Sequence, residues 1–172
     1  MAFEKKPAHH AVSGESESAL EGYGFEKNLL LSSPAVALVE RSHRLARRET
    51  ISINDLKNET LVKLLSDDAQ AGWRIIQAMC GKRGFEPKTR PVLTPSTIEN
   101  LSTPLNNCVL LFPGKNKEIS FLSQLKKYAC IPLADDDALF PVFAAWMPEK
   151  SAEVAPFLAA LDEALAIMTT PA

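Results

Sequence analysis

Apolar positions in this chain follow two spacings, and the two alternate. Short apolar or alternating runs at residues 28–31, 35–39, 60–65, 89–93, 108–112, 128–133 and 139–146 read as strands. Between them come runs at helical period. Residues 70–80 put Trp73, Ile76, Met79 and Cys80 on one face, and Gly81 and Gly84 supply the stop. Residues 118–127 turn Ile119, Leu122 and Leu125 inward, and 151–168 carry Val154, Phe157, Leu158, Leu161 and Leu165. Pro156 fits the first turn of that last helix or breaks an earlier start. Ser32-Ser33-Pro34 reads as a turn between the first two strands, and residues 51–56 as a short helical turn with Ile53 and Leu56 inward. The order is β–β, then β–α–β–α–β–α–β, then β–α. Alternation through the middle predicts an α/β fold with a parallel sheet and helices on both faces.

Residues 91–113, PVLTPSTIENLSTPLNNCVLLFP, hold the densest set of signals. Thr94 precedes a proline and is held extended. Ser96-Thr97-Ile98-Glu99 fits a capping box, in which a hydroxyl and a carboxylate satisfy orphan helix amides reciprocally. Asn106-Asn107 tolerates the left-handed conformation that ends many helices. The apolar run 108–112 then suits a strand covered on both faces. Such a β–α–β unit offers free amides and hydroxyls at the carboxyl edge of a sheet, where open α/β sheets bind ligands. A purely structural cap fits the same residues.

Composition narrows the function classes. With 172 residues, 46% hydrophobic, 23% charged and a net charge of −2, this is an ordinary globular composition that asks for neither nucleic acid nor a membrane surface. Cys80, Cys108 and Cys130 lack any metal or redox spacing and read as buried thiols of a reducing compartment. Residues 1–6 carry no apolar run behind their charges, and no membrane-length apolar stretch occurs, so a cytoplasmic location is expected. Residues 1–27 read as a disordered or loosely attached lead, in which His9-His10 has no ligand partners. The basic stretch 40–49 reads as a solvated linker face, and Asp135-Asp136-Asp137 as a solvated loop in preference to a cation site. No catalytic motif, phosphate-cradling loop, cofactor motif or metal cluster is found, so no enzyme, cofactor or metal is expected.

From about residue 25 to about 165 the chain resembles the effector-binding domain of LysR-type transcriptional regulators. Leu38-Val39-Glu40-Arg41-Ser42-His43-Arg44-Leu45-Ala46 stands where that family has a strand followed by His-Pro-Leu-Ala. Ile51-Ser52-Ile53-Asn54-Asp55-Leu56 matches its short turn, and Arg83-Gly84-Phe85-Glu86-Pro87 its Gly-Phe-x-Pro element. Residues 105–113 occupy the segment written V-x-x-G-x-G-[VI]-x-x-[LI]-P, and Trp146 with Pro156-Phe157-Leu158 fits the carboxyl end. Arg44 replaces the usual proline, and Asn106 and Cys108 stand where the family often has glycines, which would restrict backbone approach to a ligand there.

The resemblance implies a type II periplasmic-binding-protein-like fold with one complete and one truncated lobe. Residues 51–133 would form the second lobe, and 28–50 with 134–168 a partial first lobe, without a winged helix-turn-helix. The implied function is effector sensing: a small, often anionic metabolite held between lobes. Thr94, Ser96 and Thr97 would be donors at a positive helix end, and Phe112 and Pro113 part of the wall. No sequence-specific DNA binding by this chain, no membrane partner, and self-association or association with intact relatives are expected. A stand-alone solute-binding module of similar fold and a non-functional gene fragment are the alternatives.

Overall fold

The computed structural model describes residues 10–13, 22, 24–66, 69–93, 104–114 and 126–169. The chain divides into two compact units, Ser33–Phe140 and Met1–Ser32 with Pro141–Ala172.

In the unit Ser33–Phe140 the alternation read from the sequence builds a sheet in two hydrogen-bonded parts that a single bridge joins. Its strands are β2 (Glu26–Glu40, entering from the other unit), β3 (Thr60–Leu64), β4 (Lys88–Val92), β5 (Leu110–Pro113) and β6 (Tyr128–Pro132). β3 and β4 pair in parallel with Leu61 opposite Thr89. A single parallel bridge, Leu61 to Val109, joins β3 to the start of β5. β5 and β6 both pair antiparallel with β2, at Ala37 opposite Leu111 and Ala37 opposite Ile131. The order is therefore β4–β3–β5–β2–β6. The strands from the alternating middle run one way, as expected; β2 is the exception, inserted between them in the opposite direction.

β2 also corrects the reading of two strands separated by a turn. It is one 15-residue strand through Ser32-Ser33-Pro34. Proline is tolerated because position 34 lies just past the end of the β2–β5 ladder, where its carbonyl still accepts from Gly114 N at 2.6 Å.

Both faces of this sheet are covered, which explains the unbroken apolar runs. Ala35, Ala37, Val39, Val109 and Leu111 point to one core, shared with Trp73, Ile76 and Met79 of helix α1 (Ala69–Gly81). Leu38, Val62, Leu110 and Phe112 point to the other. Each large aliphatic side chain so buried contributes about 1.5–3 kcal/mol. That outweighs the ion pairs with an exposed partner described below, Arg44–Glu59 and Arg83–Asp137, whose typical worth is about 0–1 kcal/mol each. The cores, then, hold the unit together.

Asn106 and Asn107 take left-handed conformations, φ 51° and 61°, in a turn closed by Cys108 N to Leu105 O at 3.0 Å. They sit at the amino end of β5. The helix expected from Ser96 lies outside the described residues through 103, and of the helix expected at 118–127 only 126 and 127 are described, as a turn.

The basic stretch 40–49 is exposed at each of its arginines, as the solvated face expected of it, with two exceptions. His43 and Leu45 are buried, with Leu45 in a short 3-10 turn, Arg44–Arg47. Ser52 and Asp55 form a capping box on the turn Ile53–Leu56, and Ile53 and Leu56 point inward as read.

In the other unit, β1 (His10–Ser13), within the segment read as a loose lead, pairs antiparallel with β7 (Leu139–Trp146), Ala11 opposite Ala145. Four residues are too few for a period to show in sequence. Phe25 packs on Phe143 and Ala145; Leu30 and Leu158 pack on Ala144, Trp146 and Val154. The Trp146 indole donates to Glu26 Oε2 at 2.8 Å. Helix α2 (Ser151–Thr169) carries Pro156 inside it, so one i to i−4 bond is forgone without ending the helix. No helix among the described residues is long and apolar enough to cross a membrane.

Candidate functional site

The site begins where β3 and β5 part. Val62 N donates to Val109 O at 2.8 Å and Val109 N to Thr60 O at 2.9 Å; beyond that bridge β3 pairs with β4 and β5 with β2. In a strand, a residue's N–H and C=O point to the same side, and sides alternate. Since Leu65 N bonds Val92 O, the peptide groups of residues 61, 63 and 65 face β4, and those of Leu64 face the gap. Since Val109 bonds β3, the peptide groups of Leu111 face the gap from the other side. Among the described residues, an apolar recess thus carries two strand peptide groups that the ladder does not use.

The recess is a pocket of about 210 Å³. Val62 and Leu64 line it from β3, and Leu110, Leu111, Phe112 and Pro113 from β5. Helix α1 closes it with Ala69, Gly72, Trp73 and Ile76, a stripe at helical spacing, and Phe140 completes the floor. The Lys63 ammonium lies over the Trp73 ring at 5.4 Å from its centroid, a cation–π contact that holds the indole.

Phe112 and Pro113 line this recess at the carboxyl end of β5. Thr94, Ser96 and Thr97 lie outside the described residues. Leu93, the last described position before them, follows β4 and is 83% exposed. The left-handed turn at Asn106-Asn107 lies at the opposite end of β5 from the gap. Of the two positions where glycine is usual in the resembled family, Asn106 takes a left-handed conformation and Cys108 does not.

Two polar clusters escaped sequence reading. His43, 2% exposed, accepts Leu45 N–H on Nδ1 at 3.2 Å, so its proton sits on Nε2. Nε2 faces Glu59 Oε2 at 3.3 Å, close but poorly aligned for a hydrogen bond. Glu59 also pairs with the guanidinium of Arg44. In the second cluster, Arg83 at the end of α1 grips Asp137 with both terminal nitrogens and reaches Asp135 Oδ1 at 3.0 Å. Asp135 Oδ2 accepts Ile53 N at 2.7 Å. The acidic run expected as a solvated loop is instead a clasp, and only a fold that brings residues 53, 83 and 135 together reveals it.

The Arg83 hydrogen bond holds the Asp137 carboxyl down, from its ordinary 3.8 to about 2. A depressed folded-state value means stability present above the ordinary pKa and lost as pH falls through the folded one. Acid titration should accordingly show stability falling between about pH 4 and pH 2, with that slope flattened in Arg83→Gln. An unchanged slope in the variant would show that Asp137 gains nothing from the clasp in solution.

Nothing here points to covalent chemistry. Burial pushes the Cys80 thiol up to about 11 and raises Cys130 as well. No group of three metal-capable side chains gathers among the described residues.

Comparisons with known proteins bear on this arrangement. The regulatory domain of NMB2055 (MetR), a LysR family regulator from N. meningitidis, matches with a TM-score of 0.67 at 17% identity, over 95% of this chain and 75% of that one. The BenM effector binding domain with its effector benzoate matches with a TM-score of 0.63 at 22% identity, over 86% and 67%. Full-length BenM gives 0.66 at 19% identity, over 91% of this chain and 57% of that one. These likenesses are of fold: a type II periplasmic-binding-protein-like α/β architecture. No curated protein matches the chain. Residues 9–103 match the family described as the LysR substrate binding domain, and the chain belongs to that family, the ligand-sensing regulatory domain of LysR regulators.

Proposed function

We propose that the chain senses a small carboxylate, held at the carboxyl edge of the sheet in the unit Ser33–Phe140. The observation that carries this reading is the gap between β3 and β5, an apolar recess with the unladdered peptide groups of Leu64 and Leu111. Buried N–H groups without partners are rare and take an acceptor when one is offered. A carboxylate supplies two strong ones. Phe112 and Pro113 wall the site, and Thr94, Ser96 and Thr97 add hydroxyl and amide donors at a positive helix end. BenM, whose effector-binding domain shares the fold, is described with benzoate as its effector, which is a small carboxylate. In this reading the chain contributes sensing: with a net charge of −2 it has no basic footprint for reading DNA. A ligand acts by shifting populations between states to which it binds unequally.

The test is a thermal-shift screen of small carboxylates on wild type, Ser96→Ala and Thr97→Ala. Loss of the Ser96 cap should itself cost about 0.5–2 kcal/mol of stability. Ligand protection should fall by more than that loss explains. Equal shifts in all three proteins would leave Ser96 and Thr97 a structural role only.

A further inference from the structure

Gly72 stands in α1, where glycine is costly relative to alanine because it gives up more backbone freedom on folding. Nothing in its surroundings requires it. Its φ is not positive, and a Cβ built there meets no atom within 4 Å. The usual reasons for glycine, a left-handed turn or a close approach, are both absent. What lies where its side chain would be is the pocket, for Gly72 is one of its lining residues between Ala69 and Trp73.

We propose that Gly72 keeps open a slot for the hydrocarbon body of the effector, a six-membered ring or branched aliphatic group of that size. This deepens the sensing reading above and rests on it. An apolar cavity of about 150 Å³ already takes benzene. At about 210 Å³ the slot holds such a ring with room for one further small group. Its described side chains bear no charge: Leu64, Trp73, Ile76, Phe112 and Phe140 offer the body only apolar and aromatic surface. A short carboxylate such as acetate leaves most of that surface uncovered; a ring covers it, and the carboxylate end remains for the peptide groups at the gap. The slot selects by the size of the apolar body, and Gly72 sets that size.

The chain has two tryptophans, Trp73 in the slot and Trp146 in the other compact unit. Labelling with 5-fluorotryptophan gives one fluorine signal for each, so Trp146 serves as an internal control. Benzene, cyclohexanecarboxylate and acetate are titrated into wild type, Gly72→Ala and Gly72→Leu, with melting temperatures recorded alongside. The expected result is a saturable shift of the Trp73 signal alone with benzene and cyclohexanecarboxylate. Binding of both ring probes should weaken in Gly72→Ala and fall by at least about tenfold in Gly72→Leu, whose side chain fills the slot. Both variants should melt no lower than wild type, because each removes a helical glycine. Should Gly72→Leu fail to fold, the Gly72→Ala comparison carries the test: ring probes weaken and acetate does not.

A Trp73 signal that benzene leaves unmoved, or ring binding unchanged by filling position 72, overturns the slot. If acetate then protects as well as cyclohexanecarboxylate does, the slot falls and carboxylate sensing stands. If benzene moves the Trp73 signal while neither carboxylate raises the melting temperature, the slot stands and the carboxylate reading falls.

Discussion

Glu59→Ala should lower the unfolding free energy by about 1–3 kcal/mol, the range for leaving a buried polar group without compensation. Glu59 is 7% exposed and faces His43 Nε2 in a site closed to water. With the carboxylate gone, the buried Nε2–H loses the negative charge that faces it at 3.3 Å and has little solvent to turn to. Arg44, by contrast, is largely exposed and loses little when its partner leaves. The cost therefore belongs to the histidine side of the cluster, and Glu59→Gln, which retains one oxygen, should cost less than half as much. Denaturant titration of Glu59→Ala in wild-type and His43→Leu backgrounds separates the contributions. A much smaller loss in the His43→Leu background is expected. The same loss in both would mean that Glu59 acts through something other than His43.

Gly114→Ala is expected to be comparably damaging, at about 1–3 kcal/mol, for the opposite reason: too much matter in place of too little. A Cβ at position 114 would lie 2.8 Å from Pro34 O and 2.8 Å from Val36 Cγ2. The valine methyl can be removed; the backbone oxygen cannot, and it already accepts Gly114 N at 2.6 Å. Val36→Ala in the same chain should recover part of the loss and leave the remainder. Because Gly114 follows Pro113 at the pocket wall, the variant should also bind the ring-bearing probe less tightly than its stability loss alone explains. A Gly114→Ala protein as stable as wild type would show that the ends of β2 and β5 part without cost.

What was legible in the sequence was whatever a local pattern encodes. The α1 stripe of Trp73, Ile76 and Met79 is period 3.6 in the sequence and buried in the fold. The run at 108–112 was readable as a two-face strand because no polar residue interrupts it. Ser32-Ser33-Pro34 reads as a turn because its residues favour turns locally, while in the fold the β2–β5 ladder begins one residue on, at Ala35, and Pro34 still lends it a carbonyl. His43 was hidden among arginines: charge density described its neighbours and said nothing of its own burial. The Arg83 clasp and the gap between β3 and β5 depend on segments far apart in the chain, which no periodicity reports. Of the proposed site, the family resemblance points to Phe112 and Pro113, whereas Gly72 sends no such signal, because a glycine in a helix signals weakness first and space only once the surroundings are known.

One further consequence follows from β4, at the outer side of β3 among the described strands. Val92 turns its carbonyl to Leu65, so residues 88, 90 and 92 face the sheet while Thr89 and Pro91 face away. Pro91 therefore costs the ladder nothing, yet it strips one of the two outward amides from this border. A strand from a second molecule laid along β4 would find a single donor, at Thr89, and a pyrrolidine ring in its path. Edge-to-edge growth into fibres is closed off on this side by one imino acid, placed at the register where it does not weaken the chain that carries it.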